Sequence, residues 1–354
     1  MKKLSLIILA IGLFSLLSCK KDETQAVLKS APGAPSGLTV PGGAALVLDT
    51  ANKNVLLKYT WNAANYGAQV IPSYTLQMDK QGNNFSHATA LGAVNTLLTF
   101  SVLTSDLNGK LLPLLFDPSV PEALPMEFRV MTIVKDINGN IIDTIKPVYS
   151  VAVQQSITPY YAPIVYPLLN VPGSYQGWNP GDSLTTIASV GSNDLYEGYM
   201  NFPDANTEFK YAKGDWNNNW GDDGANGSLE PGGANIKAVE AGYYKLNVDM
   251  VSLTHTFLKT TWGLIGDATP GGWDTDTDMA YDAVNKVWTV TVNLTAAKIK
   301  FRANKGWDLN YGDNGGDGSL EPGGADISVP DGAGNYTVTL NLSKPIYKYK
   351  LVKN

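Results

Sequence analysis

The chain is poor in the residue types on which catalysis and metal binding most often rest. One cysteine and two histidines stand among 354 residues, so no disulfide can close within the chain and no Cys/His zinc set can assemble. His87 and His255 fall in different domains on the reading below, which leaves a histidine base unsupported. Basic residues are outnumbered, 26 Lys and Arg against 32 Asp and Glu, for a net charge of −6. Without basic clusters, that balance argues against nucleic acid and against adhesion to anionic lipid. Helical periodicity is scarce, the exception being LTSDLNGKLL (103–112). Beyond the first 18 residues no apolar run is long enough to cross a bilayer.

What is present begins with an export signal over residues 1–18. Lys2 and Lys3 form its charged start and Leu4 to Leu17 its apolar stretch, too short for a membrane-spanning helix. It ends at LLSC, with Ser18 before Cys19, which resembles the lipobox of bacterial lipoproteins, where the cysteine is acylated. The following KKDE (Lys20 to Glu23) resembles the export signal of Bacteroidetes surface lipoproteins, implying an outer-membrane anchor facing outward. Removing residues 1–18 takes away two lysines, so the charge moves from −6 to −8 and 336 residues remain. That length suffices for two or three cores. Residues 19–35, charged and then Pro/Gly/Ala-rich, are expected to form a flexible stalk.

Short alternating runs then dominate. VLLKYTWNAA (55–64), PSYTLQMDK (72–80), LLTFSVL (97–103) and MEFRVMTIV (126–134) read as strands, separated by turn signals such as QGNN (81–84) and DINGN (136–140). Residues 36–160 are therefore expected to form a β-sandwich of immunoglobulin or fibronectin type, with Trp61 in its core. A proline-rich connector (156–173) follows. Next comes an internal duplication. NWGDDGANGSLEPGGANI (219–236) returns at 310–327 as NYGDNGGDGSLEPGGADI, with 13 of 18 positions identical. A spacing of 91 residues is too long for a solenoid and fits two copies of a small domain, over 161–260 and 261–354. The whole is expected to be all-β, three sandwiches in tandem.

Each copy offers the same inventory. In KIKFRA (298–303), Ile299, Phe301 and Ala303 share one face, which turns Lys300 and Arg302 outward; in EFKYA (208–212) Lys210 and Ala212 turn outward. Holding the faces in register needs an offset of 90 here and 91 downstream, so one extra residue is expected in the second copy's turn. Trp178 then matches Trp273, Trp216 matches Trp307 and Trp220 matches Tyr311. Aromatic rings beside long cationic donors suit a sugar, whose ring faces carry C–H patches inside a rim of hydroxyls. The competing reading makes these rings plugs at a sandwich edge. Trp288 alternates within a strand and reads as core, whereas Trp262 stays undecided.

Two other chemistries are weaker. DDGANG (222–227) and DNGGDG (313–318) carry the Asp and Gly of calcium loops, but the EF-hand spacing fails and the same residues are ordinary turn formers. No metal and no cofactor is expected. Glu230 and Glu321, each in SLEPGG, would imply two equivalent hydrolytic sites, an uncommon arrangement. No enzyme is expected.

The lipobox with KKDE, the words YTLQMDKQGNNF (74–85) and LTSDLN (103–108), and the repeated GSYQGW, EFKYAKGDW, KFRANKGWDLNYG and SLEPGG together resemble the SusE/SusF family of surface lipoproteins. That resemblance implies two carbohydrate-binding-module-like sandwiches behind the N-terminal one. It implies non-catalytic binding of a polysaccharide or oligosaccharide, with starch-type α-glucan favoured, beside a TonB-dependent SusC-like transporter and a SusD-like lipoprotein. By matched position the resemblance puts glycan binding on Trp178, Lys210 and Trp220 in the first copy and on Trp273, Lys300, Arg302 and Tyr311 in the second. The loop aromatics Trp216 and Trp307 complete the candidate set from the inventory above. The alternative is a structural or docking lipoprotein of the transporter complex, or a binder of another glycan.

Overall fold

The structure is a computed structural model that describes residues 28–163 and 165–354. The export signal, Cys19 and KKDE lie outside the described residues.

Alternation builds the N-terminal sandwich. In Leu124–Lys135 the side chains of Met126, Phe128, Val130 and Val134 turn inward and are buried. One sheet orders Ser36–Thr39, Leu56–Asn62 and Thr99–Leu103; the other orders Ala45–Val47, Val153–Thr158, Leu124–Lys135, Ile71–Lys80 and Thr89–Asn95. Between them lie Tyr59, Trp61, Tyr74 and Phe128, with Leu107 and Leu111 contributed by the helix Thr104–Leu111. Each such fully buried side chain contributes about 1.5–3 kcal/mol. The expected stalk is shorter than its composition suggests. The Lys29 N–H donates to the Tyr66 carbonyl, and Gly33 and Asn65 exchange backbone hydrogen bonds. Those backbone pairings hold the chain against the first sandwich from Lys29 onward.

The two copies follow one plan. The second has a sheet of Thr277–Asp278, Trp262–Ile265, Lys298–Ala303, Asn310–Gly312 and Glu321–Pro322, with Ile327–Ser328 beside it. It faces a four-stranded sheet of Ala280–Asp282, Val287–Leu294, Gly334–Asn341 and Lys348–Lys353. In the first copy the corresponding strands join into one eight-stranded sheet, because Thr186–Ala188 pairs with both Leu168–Asn170 and Leu195–Phe202. EFKYA is interrupted at Lys210, whose N–H donates to the Pro172 carbonyl, giving strands Thr207–Phe209 and Tyr211–Ala212.

The duplicated acidic loop has a structural role in both copies. The Asp222 carboxylate accepts from the N–H groups of Gly224, Asn226 and Gly227, and His255 Nε2 lies 3.2 Å from Oδ2. Asp313 accepts from Gly315, Asp317 and Gly318, and from the Tyr349 hydroxyl at 2.9 Å. Glu230 and Glu321 accept from the N–H groups of Asp223 and Asn314, so the repeated glutamates fasten the same turn. Gly221 and Gly312 are required by close approach: a Cβ there would meet the Ala234 or Ala325 carbonyl at 2.0 or 2.1 Å. The carboxylates that resemble calcium ligands are thus engaged by backbone amides, and no group of three or more His, Cys, Asp or Glu suited to a metal occurs among the described residues.

Between the two copies there is almost no linker, since the strand Thr254–Thr260 is followed by Trp262–Ile265. On Leu195–Phe202 and Gly242–Asp249 the inward residues are Tyr196, Met200 and Phe202, and Tyr244, Leu246 and Val248. Tyr199 and Tyr243 therefore point outward, yet both are buried, because the second copy covers them. Their rings stack 5.3 Å apart, and the Tyr199 and Tyr311 hydroxyls meet at 3.0 Å. The Tyr347 hydroxyl donates to Glu197, and Trp262 closes on Tyr199 edge-on. The N-terminal sandwich touches the second copy too: Lys80 donates to the Asp317 carbonyl, and Lys348 donates to the Pro113 carbonyl and the Ser319 hydroxyl.

Burial pushes the Asp222 carboxyl upward, but the Gly227 amide, His255 and the Asn226 and Gly224 amides together hold it below its ordinary value. A depressed carboxylate stabilises the fold above its unfolded pKa, and that contribution is lost as the pH falls through the folded value. Asp222→Asn is expected to cost about 1–3 kcal/mol at neutral pH and to flatten the acid limb below about pH 4. Thermal unfolding followed by circular dichroism across pH checks both; parallel acid limbs for parent and variant would refute the assignment.

Candidate functional site

The site is built on one hairpin in each copy and on the loop that faces it. In the second copy Phe301 pairs with Tyr311 and Arg302 with Asn310; in the first, Tyr211 pairs with Trp220 and Ala212 with Asn219. The turn between them holds six residues (213–218) in the first copy and seven (303–309) in the second, the extra residue that the offset required. Directly paired residues on antiparallel strands share a face. Tyr311 therefore lies on the Phe301 side, inside, at 0% exposure, stacked 5.3 Å from Trp262. Its place among the sugar-binding rings is corrected on that ground: a ring in the core cannot meet a saccharide. Trp220 faces the same way and packs, half-buried, against the first copy's core, with Lys213 Nζ 5.9 Å from its ring. It too leaves the candidate platform.

The remaining rings come together in pairs. Trp178 and Trp216 lie 6.3 Å apart with planes inclined by 43°; Trp273 and Trp307 lie 6.1 Å apart at 37°. Trp216 and Trp307 are 41% and 46% exposed, and Trp178 and Trp273 are half-buried. Each turn Trp is fixed through its backbone. The Asn219 amide donates to the Trp216 carbonyl and the Asn310 amide to the Trp307 carbonyl, each at 2.8 Å. Trp178 sits in the left-handed region at φ 59°, which costs a non-glycine residue roughly 1 kcal/mol, and its N–H donates to the Gly173 carbonyl.

The cations differ between copies. Lys210 is half-buried, and burial lowers its pKa while Asp223 opposes the shift. Lys300 lies 6.0 Å from the Trp307 ring. Arg302, though on the outward face, is buried: its guanidinium lies 4.8 Å from the Trp307 ring centre and its Nε donates to Asp276 at 2.7 Å. In the first copy Ala212 replaces it, opposite Asn170, whose amide binds the Gly214 N–H and the Asp182 carbonyl. Of the tryptophans outside the pairs, Trp61, Trp262 and Trp288 are core. Sequence reasoning missed Asn219, Asn310 and Asp276; the asparagine was legible as the first residue of the repeated word, whereas Asp276 has no counterpart to mark it.

Residues 21–131 match the SusE outer membrane protein family. No curated protein matches the chain. Among solved structures, the chain is similar to SusF from Bacteroides thetaiotaomicron at 16% identity and a TM-score of 0.30, covering 91% of this chain and 76% of that one.

Tyr311→Ala is expected to destabilise the protein by about 3–5 kcal/mol, and Trp307→Ala by about 1 kcal/mol or less. Denaturant unfolding distinguishes them, and equal losses would contradict the inside–outside assignment.

Proposed function

We propose that this chain, which carries a SusE-type N-terminal region, is a non-catalytic glycan-binding lipoprotein of the outer membrane, anchored through Cys19 and facing the cell exterior. On this reading the chain divides into a signal (1–18), an anchor segment, the N-terminal sandwich (36–160) and two binding units (161–260 and 261–354). The carrying observation is the recurrence, in both copies, of a tilted indole pair at the surface, each with its turn Trp tied by an asparagine. Two neighbouring rings inclined by 43° and 37° in the two copies offer stacking faces for two successive residues of a curved glucan. The C–H face of a pyranose covers an indole, while Lys210 or Lys300 donates to the hydroxyl rim. The proposed sets are Trp178, Trp216 and Lys210, and Trp273, Trp307, Lys300 and Arg302. A starch-type α-glucan is the favoured ligand, and a SusC-like transporter with its SusD-like lipoprotein the favoured company.

Such shallow sites reach roughly −4 to −7 kcal/mol each, ~mM to ~10 μM. Two on one chain make the second engagement intramolecular, so polymers are held far better than short oligosaccharides. Trp178→Ala with Trp273→Ala is expected to abolish retention on polysaccharide without lowering the thermal midpoint. Isothermal titration of both proteins against a panel of soluble polysaccharides is the test. Undiminished retention by the double variant refutes the platform. Silence of the parent toward every glycan favours the docking reading, for which Ile137 and Val151 supply exposed apolar surface on the N-terminal sandwich.

A further inference from the structure

One ion pair of the second unit has no counterpart in the first and is not needed for the fold they share. Arg302 and Asp276 form it through Nε and Oδ1 at 2.7 Å, with side chains 8% and 1% exposed. The other Asp276 oxygen is buried and accepts no hydrogen bond from any described residue. Room for the carboxylate depends on Gly263, directly across the ladder from Arg302, where a Cβ would meet Asp276 atoms at 2.9–3.1 Å. In the first unit the same ladder position pairs Asn170 with Ala212, and neutral amide hydrogen bonds to Gly214 and Asp182 tie the surrounding loops. A sandwich of this plan therefore closes without a sealed charge.

Burying a carboxylate with one oxygen unpartnered is costly, and replacing a buried ion pair by well-packed neutral groups is often neutral or stabilising. Stability alone gives no reason for the pair. What it does geometrically is hold a guanidinium against one face of the Trp307 indole, 4.8 Å from the ring centre. An unrestrained arginine side chain samples many rotamers; the charge-assisted bond from Asp276 removes that freedom. The planar cation then attracts the ring through its quadrupole and backs it. Trp307 is 46% exposed and lies 6.1 Å from Trp273. Among the described residues no cation lies over the Trp216 ring.

We propose that Asp276 is a positioning residue of the second glycan site: it fixes Arg302 against the back of Trp307, so that this unit presents a pre-set indole platform and is the tighter of the two. The inference rests on the reading of Trp273 and Trp307 as a sugar platform. It makes Arg302 a brace for the ring and leaves Lys300 as the rim donor.

The test uses the full chain with Trp178→Ala in the background, so that only the second site is read, and maltoheptaose as the probe. Asp276→Asn keeps the size and removes the charge. It is expected to weaken maltoheptaose binding about tenfold, and Arg302→Ala about as much. The double variant should lose no more than the worse single one, because both act through one ring. Independently of ligand, acrylamide quenching of Trp307, obtained by difference against Trp307→Phe and read well below each protein's thermal midpoint, is expected to rise in Asp276→Asn, whose midpoint itself falls because the buried guanidinium loses its partner. Unchanged affinity in Asp276→Asn, or additive losses in the double variant, overturns the proposal. If the Trp178→Ala parent does not bind maltoheptaose, the α-glucan reading falls instead, and the brace is judged on quenching: an unchanged Trp307 signal in Asp276→Asn overturns it.

Discussion

The register of one short hairpin governs most of what this molecule presents to solvent. With Phe301 opposite Tyr311, alternate side chains are committed to opposite sides of the sheet, and a slip of one residue would exchange them all. The inner set fills the second unit's core; the outer set carries Arg302 and leads into the turn that displays Trp307. The first unit repeats the pairing with Tyr211 opposite Trp220, and its shorter turn still brings Trp216 beside Trp178. Cores fix the strands, strands fix the turns, and the turns aim the indoles.

The most nearly identical part of the duplication is a device for holding a glycine-rich loop together from within. Asp222 and Asp313 each gather three amide N–H groups that no strand partner satisfies, and Glu230 and Glu321 capture one more. A backbone donor shut away from water without a partner is expensive. These residues recur because the turn cannot close without them. The indoles, which stand just outside that loop, are surrounded by more variable sequence.

Much of this was legible beforehand. Period-two alternation located the long strands, such as Leu56–Asn62, Ile71–Lys80 and Leu124–Lys135, to within a few residues, because each buries one face. The extra residue in the second turn followed from keeping Phe301 and Tyr311 in phase with their copies. What alternation could not reveal was which aromatic belonged to the exposed set. Tyr311 and Trp307 sit in the same glycine- and asparagine-rich context, and only the cross-strand pairing separates them. The burial of Trp262, Tyr199 and Tyr243 escapes alternation for a different reason: they pack across the boundary between the two units, and no local pattern reports that. Asp276 shows no signal because its partner lies 26 residues away across the ladder.

The tyrosine seam has a consequence for any long molecule lying across both units. With a single residue between Thr260 and Trp262, and Tyr199 lodged against Tyr311, there is no slack to take up. The gap between the two indole pairs is then a set length, like the distance between the jaws of a gauge. A polymer spanning it must bring suitable faces to that interval through its own helical repeat, and one whose pitch does not fit would be held at one end only.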